Sequence, residues 1–178
     1  MTESVICNGR PSDKRCDVEE STYDFLEKNN IDFVRVDHTE TATIEECHKI
    51  EDVLGVEICK NLFLQNSAKT KYYLLLLPGE KRFVSKEISK KLSSTRLSFA
   101  PDDKLYEFLK IEPGSVSIMG LIHDKANNVN LVIDSSLLEK PYFCCHPCKN
   151  TSTLKFSTDD IINKFISATN HQLTIIDI

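Results

Sequence analysis

The spacing of hydrophobic residues predicts helices and short strands in mixed order. Helical periodicity or capping signals occur at 18–30, 43–54, 85–92, 101–110 and 157–168, and Thr43 and Glu46 have capping-box spacing. Alternating or short apolar runs predict strands at 31–37, 61–65, 72–77, 115–123, 129–133, 142–145, 153–156 and 173–178. Two hairpins are expected, the first from 61–65 with 72–77 and the second from 115–123 with 129–133. This mixture predicts an α+β domain with a mixed, mostly antiparallel sheet flanked by helices, rather than a doubly wound parallel sheet.

Residues 1–17 show no such periodicity. They are polar and contain a Gly-Arg-Pro-Ser break, so a loose N-terminal extension is expected at 1–17 and one domain at 18–178. A chain of 178 residues with 40% hydrophobic and 28% charged residues has the composition of a single globular domain. Its longest apolar run, 72–77, is far shorter than a membrane span of roughly 20 residues. The N-terminus lacks the apolar core of a secretory signal, and the seven cysteines favour reduced thiols, so a cytoplasmic protein is expected.

Charge is distributed unevenly along the chain. The formal net charge is -5, but residues 69–96 contain eight basic and two acidic residues, which gives +6 there and -11 elsewhere. Two interpretations are open, a solvated helix face and a surface that contacts phosphate groups.

Three segments carry candidate chemistry, although no local nucleotide-binding, zinc-protease or serine-hydrolase motif occurs. Lys60 precedes an apolar strand, where its ammonium either snorkels to solvent or enters a pocket. Gly114 begins a turn whose successive amides can bind an anion. His146 is either satisfied by a backbone partner or catalytic.

The cysteines near His146 suggest two further chemistries, and the sequence favours neither. Cys145 and Cys148 have zinc-ligand spacing, but a second ligand pair is missing, so no metal and no cofactor are expected. Cys145 cannot use His146 as its base, because adjacent strand residues point to opposite faces.

Together these segments resemble the YbaK-type family, which includes freestanding prolyl-tRNA editing proteins and the editing domain inserted in bacterial prolyl-tRNA synthetases. The resemblance covers about 18–165 and rests on CKNLFLQN (59–66), YYLLLLPGEKRF (72–83), RLSFAPDDKLYEFLKIEPGSVSIMGLIHD (96–124), NVNLVID (128–134) and HPCKNTSTL (146–154). It implies a barrel-like mixed sheet and hydrolysis of the ester between an amino acid and tRNA. Alanine mischarged onto proline tRNA is the expected substrate, with cysteinyl-tRNA hydrolysis or non-hydrolytic sensing of aminoacyl-tRNA or a free amino acid as alternatives.

The resemblance also implies roles for individual residues. Lys60 matches the family's functional lysine and is expected to position substrate or stabilise charge. The expected substrate-binding residues are Gly114, Ser115, Val116, Ser117, His146 and Asn150. From the basic segment, Lys81, Arg82, Lys86 and Lys90 are expected to contact tRNA. The expected partners are the acceptor end of proline tRNA and a prolyl-tRNA synthetase, with no membrane. Ser117 and Ile118 depart from the proline that many relatives carry after GSV, which leaves the amino-acid preference open.

Overall fold

A computed structural model of the chain describes residues 5–40 and 44–178. The strands form two sheets rather than the single barrel-like sheet that the resemblance implies. The first sheet has the order β1-β2-β8-β7 and is antiparallel throughout, with β1 Ile6–Asn8, β2 Val34–Asp37, β7 Tyr142–Cys145 and β8 Ser152–Ser157. The second has the order β5-β3-β4-β6-β9, with β3 Lys60–Asn66, β4 Tyr72–Leu77, β5 Leu97–Phe99, β6 Val129–Asp134 and β9 Leu173–Ile176. The predicted α+β class is confirmed.

Seven α-helical segments and two other helical turns surround the sheets in the described ranges. They are α1 Asp17–Lys28, α2 Ile44–Leu54, α3 Ser85–Lys91, α4 Asp102–Leu109, a 3-10 helix Ile118–Ile122, α5 Ser135–Leu138, α6 Thr158–Asp160, a π-helical turn Ile161–Phe165 and α7 Ile166–Thr169. Thr43, the predicted first member of the capping box, lies outside the described residues. None of the described helices is both long and apolar enough for a membrane span.

The main core lies between the two sheets. It joins Phe63 and Leu74 of the second sheet to Leu154 and Phe156 of the first, and α1 contributes Tyr23. A second cluster under α3 covers the opposite face of the second sheet, and it includes Leu64, Leu75 and Ile88. Because successive strand residues alternate between faces, β3 contributes to both clusters. This alternation decides which β3 side chains reach the functional cavity.

Three sequence predictions are wrong. Residues 1–17 are not loose throughout, because β1 pairs with β2 and the Arg10 guanidinium forms ion pairs with Glu20, Asp24 and Glu27 on α1. The predicted strand 115–123 instead contains the 3-10 helix Ile118–Ile122, and the Ser117 hydroxyl caps this helix by accepting from the main-chain N–H of Met119. Without that strand the predicted second hairpin cannot form.

Strand β6 instead runs parallel to both β4 and β9, its neighbours in the second sheet. The hydrophobic pattern identified β6 as a strand but not its partner, because a strand that is buried on both faces has no alternation to identify its neighbour. The first predicted hairpin, β3 with β4, is confirmed.

Candidate active site

A cavity of about 310 Å³ lies where the start of β3, the turn before the 3-10 helix and the end of β7 meet. We call it the loop cavity. Nine residues line it: Ile58, Cys59, Asn61, Gly114, Val116, Cys144, Cys145, His146 and Thr153. Three of the predicted site residues, Gly114, Val116 and His146, are therefore brought together. Among these nine described residues, none has a carboxylate or an ammonium in its side chain.

The turn at 114–117 borders the loop cavity through Gly114 and Val116. Gly114 has a φ of +87°, a left-handed conformation in which a side chain would be strained. The main-chain N–H groups of Gly114 and Val116 have no acceptor among the described residues, whereas that of Ser115 donates to the carbonyl of Glu112. Free amides in a turn of this kind can hold a negatively charged oxygen.

Two serines in this turn support the cavity rather than line it, which differs from their predicted role in substrate binding. The Ser117 hydroxyl is fully buried and donates to the His146 carbonyl at 2.6 Å. The Ser115 hydroxyl accepts from the main-chain N–H of Asn150 at 3.1 Å. Ser115 and Ser117 therefore hold the turn against the 146–150 segment, and Asn150 enters the site through its backbone contact.

His146 is a neutral, oriented group in the wall of the loop cavity. Its Nδ1 lies 2.8 Å from the carbonyl of Ser152, and because a carbonyl only accepts, Nδ1 carries the proton. Burial lowers the pKa of His146, and the backbone hydrogen bond only partly offsets this effect. The neutral ring leaves Nε2 as a hydrogen-bond acceptor.

A second histidine, His38, packs edge to face against His146 with 5.9 Å between ring centroids. Its Nδ1 donates to the carbonyl of Thr39 and its Nε2 lies 3.0 Å from the hydroxyl of Thr153. Burial lowers the pKa of His38 as well. Sequence reasoning missed His38, because it lies more than 100 positions from His146 and no local pattern connects them.

Asn61 was also missed, although it stands directly after Lys60 in the CKNLFLQN segment. Its amide nitrogen donates to the carbonyl of Cys59 at 3.2 Å. Its Oδ1 is buried and has no donor among the described residues. A buried oxygen without a partner is costly, and in a cavity wall it is a ready acceptor for a ligand N–H.

Lys60 does not line the loop cavity. Its neighbours Cys59 and Asn61 do, so strand alternation directs the Lys60 side chain to the other face of β3. The side chain is exposed there and the ammonium donates to the carbonyl of Lys81 at 2.8 Å. The charge-stabilising role requires the Lys60 ammonium to lie close to Gly114 and His146. This geometry does not bring these groups together.

The predicted tRNA contacts divide into two groups. The Lys81 ammonium is paired with the carboxylate of Asp134, which is fully buried, at 3.0 Å and also donates to the main-chain oxygen of Ile178. It is therefore not free to bind phosphate. Arg82, Lys86 and Lys90 are exposed and form no ion pair within the described ranges. We call the four residues Lys60, Arg82, Lys86 and Lys90 the basic strip.

The thiols of the loop cavity are poor nucleophiles. Burial raises the pKa of Cys59 to about 12 and holds those of Cys144 and Cys145 well above the ordinary range. Because the thiolate is the reactive form, these three cysteines are inert at neutral pH. All seven cysteines are free thiols. In the described part of the chain, no three His, Cys, Asp or Glu side chains converge as metal ligands.

Comparison with known proteins identifies the family. The prolyl-tRNA editing protein ProX of Acetoanaerobium sticklandii is 31% identical over 163 residues, covering 91% of this chain and 98% of that protein. The prolyl-tRNA synthetase associated domain-containing protein 1 of Mus musculus is 33% identical over 149 residues, covering 80% of this chain and 85% of that protein.

A solved structure described as a candidate trans-editing enzyme for prolyl tRNA synthetase has the same fold. Its TM-score is 0.68 at 15% identity, covering 93% of this chain and 99% of the other. Residues 38–164 match the family model described as the aminoacyl-tRNA editing domain. The chain therefore belongs to the aminoacyl-tRNA editing domain family, and the hydrolase class expected from the resemblance is the class of this family.

Proposed function

We propose that this protein hydrolyses the ester of alanine mischarged onto proline tRNA, with the aminoacyl ester bound in the loop cavity. The observation that carries the proposal is the pair of amides at Gly114 and Val116, which have no partner among the described residues, at a cavity whose described lining includes no carboxylate. Relatives named for prolyl-tRNA editing or for association with prolyl-tRNA synthetase support the choice of proline tRNA.

The reaction places negative charge on the ester carbonyl oxygen as water attacks. The amides of Gly114 and Val116 are oriented before the reaction and stabilise that charge without needing to reorganise. The neutral Nε2 of His146 accepts a hydrogen bond from the attacking water or from the hydroxyl of the terminal ribose, which helps to orient the water. The ester bond then breaks, releasing the amino acid and the free ribose hydroxyl.

Asn61 and the cavity walls select the amino acid. The unpartnered Oδ1 of Asn61 suits the α-ammonium group of an aminoacyl ester, which arrives with N–H donors. Proline carries its ring on that same nitrogen, so it offers fewer N–H groups there and more bulk. A cavity that admits alanine and excludes the larger cognate amino acid acts as a second sieve. Cysteine differs from alanine by one sulfur atom and is the nearest competing substrate.

Lys60 is assigned to binding rather than to charge stabilisation in the cavity. Its ammonium donates to the carbonyl of Lys81, immediately before Arg82, so the two cations lie along one path towards α3. Lys86 and Lys90 are four residues apart and share a face of that helix. We assign the basic strip to phosphates of the acceptor stem.

The test is a deacylation panel with purified protein and proline tRNA charged with alanine, cysteine or proline. The proposal expects release of alanine at the highest rate, slower release of cysteine, and no release of proline. Binding of alanyl-tRNA without release of free alanine would instead identify a non-hydrolytic sensor. Faster release of cysteine than of alanine would overturn the substrate assignment while leaving the hydrolase intact.

A further inference from the structure

A second cavity, of about 540 Å³, lies between the start of α1 and the end of α4. We call it the α1–α4 cavity. Its walls include Tyr106, Lys110, Glu112, His123 and Lys149, and none of these residues lines the loop cavity. It nevertheless adjoins the candidate active site, because Glu112 is two residues before Gly114 and Lys149 is the neighbour of Asn150.

The α1–α4 cavity has an exposed aromatic wall and a polar group without a partner. The Tyr106 side chain is 57% exposed although it is large and apolar, and the Lys110 ammonium lies 5.3 Å from its ring centroid. His123 also lines the cavity, and its Nε2 atom is buried and has no hydrogen-bond partner among the described residues. A buried ring nitrogen without a partner calls for a ligand atom that donates or accepts.

The charges in this cavity are balanced. Lys110 and Lys149 contribute two positive charges, and Asp17 and Glu112 contribute two negative charges. The Lys149 ammonium is already paired with the Glu112 carboxylate at 3.2 Å. A bare anion would meet no excess of positive charge here. A planar, uncharged ligand with a polar edge fits better, since it can stack on Tyr106 and use its edge to satisfy His123.

We infer that the α1–α4 cavity binds the nucleobase next to the terminal nucleotide of the substrate tRNA. The inference rests on the proposed function, because that function places the terminal aminoacyl ribose in the loop cavity, on the other side of the 112–117 turn. The acceptor end of tRNA is single-stranded, so its bases are free to stack on aromatic side chains. Tyr106 supplies the stacking face, His123 hydrogen-bonds the base edge, and Lys110 lies beside the adjoining phosphate.

The test compares two substrates and two matched tyrosines. Tyr142 is a suitable control, because it is 48% exposed and has its own lysine, Lys155, 4.3 Å from the ring centroid, but it lines neither cavity discussed here. The substrates are alanyl-tRNA for proline and 3′-alanyl-adenosine, which lacks the neighbouring nucleotide. For Tyr106→Ala we expect about a tenfold loss of kcat/KM on alanyl-tRNA, and no change on 3′-alanyl-adenosine. Tyr142→Ala is expected to match the wild type on both.

The outcomes separate this inference from the proposed function. Equal kcat/KM on alanyl-tRNA for Tyr106→Ala and the wild type would overturn the base-binding role while leaving the deacylase standing. Equal losses on the two substrates would also overturn it, because the effect would then come from damage to the loop cavity. No hydrolysis of either substrate by the wild type would instead refute the proposed function.

A direct contact measurement completes the test. Proline tRNA carrying 5-iodocytidine at the penultimate position is irradiated with the wild-type protein, and the modified peptide is identified by mass spectrometry. We expect the crosslink at Tyr106. A crosslink confined to the basic strip would contradict the inference.

Discussion

The two faces of β3 near its beginning differ in the groups that they present. On one face, Cys59 and Asn61 border a cavity whose donors are uncharged amides and whose histidine is held neutral. On the other face, Lys60 is exposed and leads towards the cations of α3. Donors that are fixed before the reaction stabilise a developing charge, whereas exposed cations attract phosphate and are screened by salt. Under the proposed function, the first face holds the reacting ester and the second binds tRNA, and we call them the chemical face and the binding face.

The largest expected effect comes from a substitution on the chemical face. Gly114→Ala places a side chain on a residue with a φ of +87°, so the turn must shift and the orientation of its main-chain N–H groups changes. We expect the rate at saturating substrate to fall about a hundredfold or more, as when an oxyanion donor is removed. The measurement is single-turnover deacylation of alanyl-tRNA.

Gly55→Ala is the matched control for this change. Gly55 also has a left-handed φ, +62°, and an added Cβ would meet no atom within 4 Å, but it ends α2 and does not line the loop cavity. It should bring a similar loss of stability with a nearly normal rate. Equal rate losses in the two variants would mean that general strain, not the cavity amides, causes the defect.

The next effect tests the binding face through Lys60. Lys60→Ala should lower kcat/KM about tenfold, because a charge-assisted contact to phosphate is lost. Lys60→Arg should recover most of this loss, and saturating protein should recover most of the rate of Lys60→Ala. These values come from single-turnover reactions across a range of protein concentrations. A hundredfold loss of rate that persists at saturating protein would show that Lys60 acts at the reacting ester. It would contradict the distinction between the two faces.

A smaller effect concerns the neutral histidines of the chemical face. The pKa values of His38 and His146 are lowered from 6.5 by burial, so the folded state holds fewer protons than the unfolded state at these sites. Their stabilising effect is full above pH 6.5 and is lost as the pH falls below that value. The free energy of unfolding of the wild type should therefore decrease between pH 8 and pH 5.

Denaturant titrations across this range provide the measurement. In His146→Gln the decrease should be shallower, because the glutamine amide can still donate to the Ser152 carbonyl but does not titrate. Parallel pH profiles for the variant and the wild type would show that His146 is not kept neutral by the fold.

The smallest effect sharpens the assignment of the basic strip. Lys86→Ala should reduce the slope of log affinity against log salt concentration by about 1, because one fewer phosphate is neutralised. Lys49 is the control, since it is exposed on α2 and paired with Glu45. Lys49→Ala should leave the slope unchanged. Titration of labelled tRNA with each variant, followed by fluorescence anisotropy at several salt concentrations, gives both slopes. Equal slopes for the two variants would remove Lys86 from the interface.

Local sequence signals predicted the parts of the fold that depend on local interactions. The β3–β4 hairpin and helices α1, α3 and α4 follow from apolar spacing, turn residues and first-turn acids. The 115–123 segment was misassigned because all five residues of its 3-10 helix are buried, and a buried segment gives no reliable period. The pairing of β6 with β4 was not predictable either, since it joins strands separated by about 50 residues.

The candidate site shows the same division. Gly114 and His146 were predicted because a glycine turn and an imidazole have recognisable chemistry, and the family resemblance brought them together. Asn61 and His38 acquire their significance from an unpaired oxygen and a ring contact, which exist only after folding. The direction of Lys60 depends on where β3 begins, a boundary that apolar patterns locate poorly.

The salt dependence of the wild-type reaction tests the division between the two faces most directly. Single-turnover deacylation of alanyl-tRNA is measured at several salt concentrations, with protein concentration varied at each. The account predicts that the concentration needed for half-maximal rate rises steeply with salt while the maximal rate stays constant. A maximal rate that falls in parallel would show that exposed cations take part in the chemical step and would contradict the account.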